Sequence, residues 1–108
     1  MQSSGGMVSA RMATRRPHVT IESGPAAGVI ATAELGRRLE IDDLISFDMG
    51  GTTAKACLVR GSVPAMVGML EVGGEASGFF GVRITGLPIK APSIDLVECS
   101  AGGGSIAW

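Results

Sequence analysis

The sequence has no tyrosine, one tryptophan and three phenylalanines among its 108 residues. Single-stranded nucleic acid is held on successive exposed rings, so this composition disfavours such a partner. Charge of one sign is also missing. Nine Lys and Arg against ten Asp and Glu leave a formal net charge of −1. A chain so balanced offers no field for a nucleic-acid backbone or an anionic membrane surface. Apolar runs are short, and none approaches the roughly 20 residues of a membrane span. A single histidine, His18, excludes a histidine-rich metal site within the chain. Cys57 and Cys99 have no metal-binding spacing and read as reduced thiols. Met1 to Arg16 lacks the continuous apolar stretch of a secretory signal. Arg11, Arg15 and Arg16 stand among hydroxyl residues without acids, as in a transit peptide, but Gly5-Gly6 and poor amphipathicity argue against a helix there. The expected location is cytoplasmic, with no nucleic acid and no membrane as partner.

Glycine is what the sequence has in excess, 17 of 108 residues, against about 7% in average proteins. With 45% apolar residues the chain is too hydrophobic for disorder. The glycines therefore point to close backbone approaches around a thin core of small side chains. Met1 to Gly6 reads as loop. Val19 to Ile21 reads as a short strand, ended by Ser23-Gly24-Pro25. Pro25 suits the first position of a helix over Ala26 to Leu39, with Ser23 or Gly24 as cap and Arg37 and Arg38 at the dipole's negative end. Leu44 to Asp48 reads as a buried strand and Thr53 to Val59 as its hairpin partner. Arg60 to Pro64 is a turn, Ala65 to Val72 a third strand, and Gly73 to Gly81 a connection with Phe79-Phe80 as its anchor. Val82 to Ile84 and Pro88 to Val97 read as extended, with Pro88 and Pro92 restricting them to sheet edges. No internal repeat is visible.

Three segments can carry chemistry. In Phe47-Asp48-Met49-Gly50-Gly51-Thr52-Thr53 an acid leaves a strand, and two glycines and two hydroxyls follow. Glycines let the main chain approach an oxyanion and aim its N–H groups at it, and Thr52 and Thr53 add hydroxyl donors. Asp48 can hold Mg²⁺ through water or orient an attacking water. The alternative is a plain hairpin turn in which Gly50-Gly51 supplies positive φ. The helix start at Ser23 to Gly28 is either an anion site or ordinary capping. Ala101-Gly102-Gly103-Gly104-Ser105 either lies against a ligand or is a flexible turn. Lys55 either reaches a phosphate or is solvated, and Glu22 serves the helix dipole. No Lys follows a Gly-x₄-Gly spacing, so this is no P-loop, and no GxGxxG opens a helix.

In this order, a small-residue helix followed by a strand–Asp-x-Gly-Gly-Thr–strand hairpin resembles the connecting helix and second phosphate loop of the actin-like ATPase superfamily. Within it, four segments resemble the hydantoinase A/5-oxoprolinase family: Met1-Gln-Ser-Ser-Gly-Gly6, Ser23-Gly-Pro-Ala-Ala-Gly-Val29, Phe47-Asp-Met-Gly-Gly-Thr-Thr-Ala-Lys55 and Ala101-Gly-Gly-Gly-Ser-Ile-Ala107. The chain departs from the family pattern at Ser4, where many members have Asn, at Lys55, where many have Asp, and at Ser100, where Gly is frequent. The Thr-Thr-Ala-Lys55 wording is closer to the hydantoinase and ketone-carboxylase branches.

The resemblance implies an α/β fold, part of an actin-like (ribonuclease H-like) ATPase domain. It implies ATP and Mg²⁺ as cofactors, with Gly50, Gly51, Thr52, Thr53, Gly102, Gly103 and Gly104 at the phosphates and Asp48 as catalytic residue and water-mediated Mg²⁺ ligand. The implied activity is ATP-dependent opening of cyclic amides of the hydantoin or 5-oxoproline type. The alternatives are a ketone carboxylase subunit and a non-catalytic ATPase-fold fragment. A hydantoinase B-type subunit or domain is the implied partner. Residues 1–108 are expected to be a partial domain, cut at both ends and lacking the family's first phosphate loop. Alone, the chain is expected to bind ATP weakly or not at all.

Overall fold

The computed structural model describes residues 1–72 and 86–106. Its centre is one long helix on one face of a small antiparallel sheet. The helix, α2 (Ser23–Leu39), follows a short α1 (Ala10–Arg15) and a 3₁₀ turn (Pro17–Thr20). Ala26, Val29, Ala33 and Gly36 are its buried positions, the three-and-four spacing that lines one helical face. Small residues there allow close approach to the sheet. At Gly36 a Cβ would lie 2.6 Å from the Leu44 side chain and 2.9 Å from the Ile41 carbonyl oxygen.

The sheet is built on the hairpin of β1 (Asp43–Met49) and β2 (Ala54–Arg60), paired from Asp43 with Arg60 to Met49 with Ala54. The other edge of β2 is shared: β3 (Val63–Pro64) pairs with its end and β8 (Val97–Cys99) with its beginning. Between β2 and β3, Gly61 and Ser62 both have positive φ, the requirement of the two-residue turn that matches strand twist. Two small ribbons complete the described chain, β4 (Met66–Val67) with β7 (Ser93–Ile94) and β5 (Leu70–Val72) with β6 (Leu87–Ile89). Cys57, Val59 and Ile94 meet the buried face of α2 to form the core. Burial pushes the Cys57 thiol up from its ordinary value.

The hairpin and the helix before it stand as the sequence predicts, and every strand pair among the described residues is antiparallel. Five expectations are corrected. Val19 to Ile21 is no strand: Pro17 opens a 3₁₀ turn, the Thr20 hydroxyl donates to the Pro17 carbonyl, and the Val19 carbonyl is taken by the amide and hydroxyl of Ser3. Met1 to Gly6 is loop as expected, but the expectation against a helix before Arg16 is overturned by α1. Ser9 caps α1 by accepting from the Met12 amide, and Gly5-Gly6 lie upstream of that cap. Helix α2 starts at Ser23, so Pro25 is its third residue, still in the first turn where its missing N–H costs nothing. The strand foreseen over Ala65 to Val72 breaks at Gly68 into β4 and β5, which join different ribbons.

The fifth correction concerns β1, which is covered on one face only. Leu44 and Ser46 turn toward α2, whereas Ile45 is 67% and Phe47 63% exposed. Beside them on the sheet, Leu58 and Val97 are exposed too. Pro88 and Pro92 lie in or next to two- and three-residue ribbon strands, as edge restriction demands. The expectations for Gly73 to Gly81, Phe79-Phe80, Val82 to Ile84 and the last two residues fall outside the described residues. Among the described residues no helix is long and apolar enough to cross a membrane.

Candidate functional site

Between β1 and β2 the chain turns through Gly50, Gly51, Thr52 and Thr53, closed by the Gly50 amide donating to the Thr53 carbonyl at 2.9 Å. Immediately after β8, the chain returns through Ala101 to Ser105 and lies down on that turn. The Gly103 amide donates to the Gly50 carbonyl and the Gly104 amide to the Gly51 carbonyl, both at 2.9 Å. The Gly102 amide donates to the Ser105 hydroxyl at 3.0 Å, and the Ser105 amide returns a bond to the Gly102 carbonyl. Two loops about fifty residues apart in sequence thus form one corner. The predicted glycines and Thr52 meet there, while Asp48, on β1, and Thr53, just before β2, flank the turn.

The two loops contribute differently. The amides of Gly102, Gly103 and Gly104 are committed to the corner itself, so what these residues offer a ligand is the lack of side chains. The amides of Gly51, Thr52 and Thr53 donate to no carbonyl or hydroxyl among the described residues. Gly51 and Thr52 are exposed and Thr53 is half-buried. Among the described residues the corner thus carries three N–H groups and two hydroxyls without a partner on one short turn. The plain-turn alternative required positive φ at Gly50-Gly51. Among the described glycines only Gly5 and Gly61 have it. A Cβ at Gly50 would touch nothing nearer than the Thr53 carbonyl oxygen at 3.7 Å, and one at Gly51 would meet nothing within 4 Å.

Asp48 is exposed at the next-to-last position of β1 before this corner. Strand alternation places it on the α2 side, directly across from Lys55, which in turn faces Glu98 on β8. Lys55 is neither solvated nor pointing at the glycine corner. Its ammonium is 2.6 Å from a Glu22 carboxylate oxygen and 3.7 Å from one of Glu98. The Lys55 and Glu22 side chains are only 15% and 16% exposed. Glu22, the residue before α2, makes no cap bond through its side chain; its carboxylate goes to Lys55 instead. At the other end of α2, Arg37 and Arg38 both bond Glu34 and hold its carboxyl down at about 2.

Sequence reasoning missed Glu98 and Ser3. Glu98 meets Lys55 only through the β2–β8 register, which no local pattern encodes. Ser3, 1% exposed, donates its hydroxyl to the Val19 carbonyl and accepts from the Glu22 amide. The N-terminal Gln2-Ser3-Ser4 segment is thereby a fastening for the start of α2; the sequence marked it as a polar run before two glycines and as a segment of the family resemblance, neither of which pointed to Ser3 as the tie.

The family model for hydantoinase/oxoprolinase matches residues 1–108. This chain belongs to the hydantoinase/oxoprolinase family. It is 50% identical over 108 residues to an uncharacterized protein of Methanocaldococcus jannaschii, covering all of this chain and 16% of that protein. It is 34% identical over 106 residues to 5-oxoprolinase 1 of Arabidopsis thaliana, covering 97% of this chain and 7% of that one. The alpha subunit of caprolactamase from Pseudomonas jessenii is 33% identical over 106 residues, with 98% of this chain and 14% of the relative covered. A nucleotide-free structure of acetone carboxylase superposes with a TM-score of 0.65 at 23% identity, over 94% of this chain and 12% of that one. The fold is shared with that enzyme. The chain spans between 7% and 16% of the length of these curated relatives.

Proposed function

We propose that this hydantoinase/oxoprolinase segment is a phosphate-binding corner of an ATP-dependent enzyme that opens cyclic amides. One observation carries the reading: Gly51, Thr52 and Thr53 carry amide and hydroxyl donors that are unused among the described residues, on a turn whose glycines are required neither by φ nor by packing. Glycine in such a position suits an anion that must come close to the backbone. The donor set fits the phosphates of a nucleotide, and exposed Asp48 supplies the carboxylate a hydrated Mg²⁺ takes.

In this reading Gly51 to Thr53 orient the phosphates, Gly102 to Gly104 keep side chains out of the corner, and Asp48 holds the hydrated metal or aims a water. ATP would supply a phosphoryl group to the amide oxygen, which makes the ring carbonyl open to attack. Charge stabilisation by fixed donors is the protein's contribution. Relatives whose names are 5-oxoprolinase and caprolactamase support a lactam-type substrate. The actin-like architecture, a hydantoinase B-type partner and a cytoplasmic location belong to the same proposal. A ketone carboxylase subunit is the second reading; the Thr-Thr-Ala-Lys55 wording resembles the hydantoinase and ketone-carboxylase branches alike and does not separate them.

Asp48→Asn in the full-length subunit tests the reading. It keeps shape and removes charge, so ATP-coupled turnover should fall about a hundredfold, the scale of a lost electrostatic group, with melting unchanged. Near-normal turnover with a lowered melting point would reduce Asp48 to a turn-capping residue. Running the unmodified subunit with hydantoin, 5-oxoproline and caprolactam against acetone plus bicarbonate separates lactam opening from ketone carboxylation.

A further inference from the structure

Three pieces of chain around the glycine corner are tied to one side chain. Lys55 stands two residues after Thr53, the end of the donor turn. Glu98 lies four residues before Gly102, on the strand that delivers the second loop, and is Lys55's register partner. Glu22 lies at the start of α2, its amide fastened to Ser3. The Lys55 ammonium bonds Glu22 at 2.6 Å and stands 3.7 Å from Glu98.

Building on the phosphate-corner reading, we propose that Lys55 is a positioning residue: held by Glu22 and Glu98, it fixes the second glycine loop on the first, and it is not itself a phosphate ligand. An ammonium taken up by a nearly buried carboxylate is not free to follow a ligand, because leaving would strand Glu22 uncompensated. The Lys55–Glu22 pair ties the beginning of β2 to the start of α2, and Glu98 at 3.7 Å adds a side-chain tie to the end of β8 beside the backbone ladder that joins the two strands. Together these ties hold the strand that delivers the second loop where the Gly103 and Gly104 amides reach the Gly50 and Gly51 carbonyls. Asp48, opposite Lys55 on β1, is held in the same row of the sheet.

The test uses the full-length subunit with Lys55→Met, Lys55→Arg and Glu22→Gln. Amide hydrogen exchange at Gly103 and Gly104 is read without nucleotide, and Mg²⁺-ATP binding by titration calorimetry. Lys55→Met and Glu22→Gln should each speed exchange at Gly103 and Gly104 about tenfold while the buried amides of α2 keep their protection. Both should also weaken Mg²⁺-ATP about tenfold, since a misplaced binding group loses at least that much. Lys55→Arg, which keeps the charge and reaches both carboxylates, should restore most of each. A Glu22→Gln variant that binds Mg²⁺-ATP more tightly overturns the proposal, because a freed Lys55 would then be contacting phosphate. Exchange that rises equally along α2 and the loops, with nucleotide affinity unchanged, also overturns it and leaves a merely structural ion pair. If the unmodified subunit does not bind Mg²⁺-ATP, the functional reading fails by itself, and the exchange pattern still decides whether Lys55 positions the loops.

Discussion

Gly102 and Gly51 face each other across the same corner, and they are glycine for different reasons. A Cβ on Gly102 would sit 2.6 Å from the Gly50 carbonyl oxygen and 2.7 Å from both the Gly51 carbonyl carbon and the Thr52 nitrogen. A Cβ on Gly104 would be 2.8 Å from the Gly51 carbonyl oxygen. None of these is a flexible side-chain end, so nothing can move aside without separating the loops. The fold demands glycine at these two positions. At Gly51 it does not: φ lies outside the left-handed region, and the space where a methyl would go is open. A residue that local structure leaves free, in a turn whose donors are unused among the described residues, is where a requirement from outside the segment becomes visible. Glycine content alone cannot separate the two cases, because both loops look alike in composition.

The sharpest way to break the comparison is Gly102→Ala beside Gly103→Ala. The first forces backbone atoms apart and should cost about 3 kcal/mol, the upper range for overpacking, seen as lower melting of the full-length subunit. The second is its control, since a Cβ at Gly103 meets only the Gly50 carbonyl oxygen at 3.8 Å. Equal losses in the two would mean that the loops dock differently from the geometry described here.

Next in size is Gly51→Ala. Stability should stay within about 0.5 kcal/mol, as for substitutions away from packed features. Mg²⁺-ATP binding should weaken about tenfold, or about 1.4 kcal/mol, because the methyl stands where a phosphate approaches the backbone. Calorimetric titration and melting on the same protein check both halves. A lowered melting point with unchanged binding would return Gly51 to the structural class and remove the main support for a phosphate site.

The sequence was legible where one local signal decided the outcome. The Leu44 to Asp48 and Thr53 to Val59 runs were bound to pair, because a short glycine turn between two apolar stretches leaves few other arrangements. The spacing of Ala26, Val29 and Ala33 announced the buried face of α2. The misreadings come from competition that a local window does not contain. Val19 to Ile21 has the β-branched look of a strand, but the Val19 carbonyl is claimed by Ser3, sixteen residues away in sequence. Phe47 reads as core by hydrophobicity and is exposed because only one face of its strand meets a helix. At the site, the residue types were visible and their union was not. That Gly102 to Gly104 close over Gly50 to Thr52, and that Lys55 is bound by Glu22 and Glu98, depends on where β8 pairs, a long-range register that begins beyond the reach of periodicity.

The smallest effect comes from the converse case, a position whose conformation favours glycine and does not have it. Glu40 ends α2 with φ 56 and ψ 37, in the left-handed region, its amide donating to the Gly36 carbonyl. A residue with a Cβ pays about 1 kcal/mol there, and a carboxylate at a helix C-terminus opposes the dipole by a few tenths of a kcal/mol more. Glu40→Gly relieves both, while the added freedom of glycine in the unfolded chain takes back part of the gain. The expected net change is a stabilisation of about 0.5 kcal/mol, the difference of those opposing effects. Glu40→Ala separates the causes, because it removes the carboxylate and keeps the Cβ. If conformation dominates, melting rises for Gly and hardly moves for Ala. Equal rises in the two variants would assign the effect to the dipole, and the left-handed cap would then cost this helix nothing measurable. Neither variant touches the glycine corner, so Mg²⁺-ATP binding should be unchanged in both.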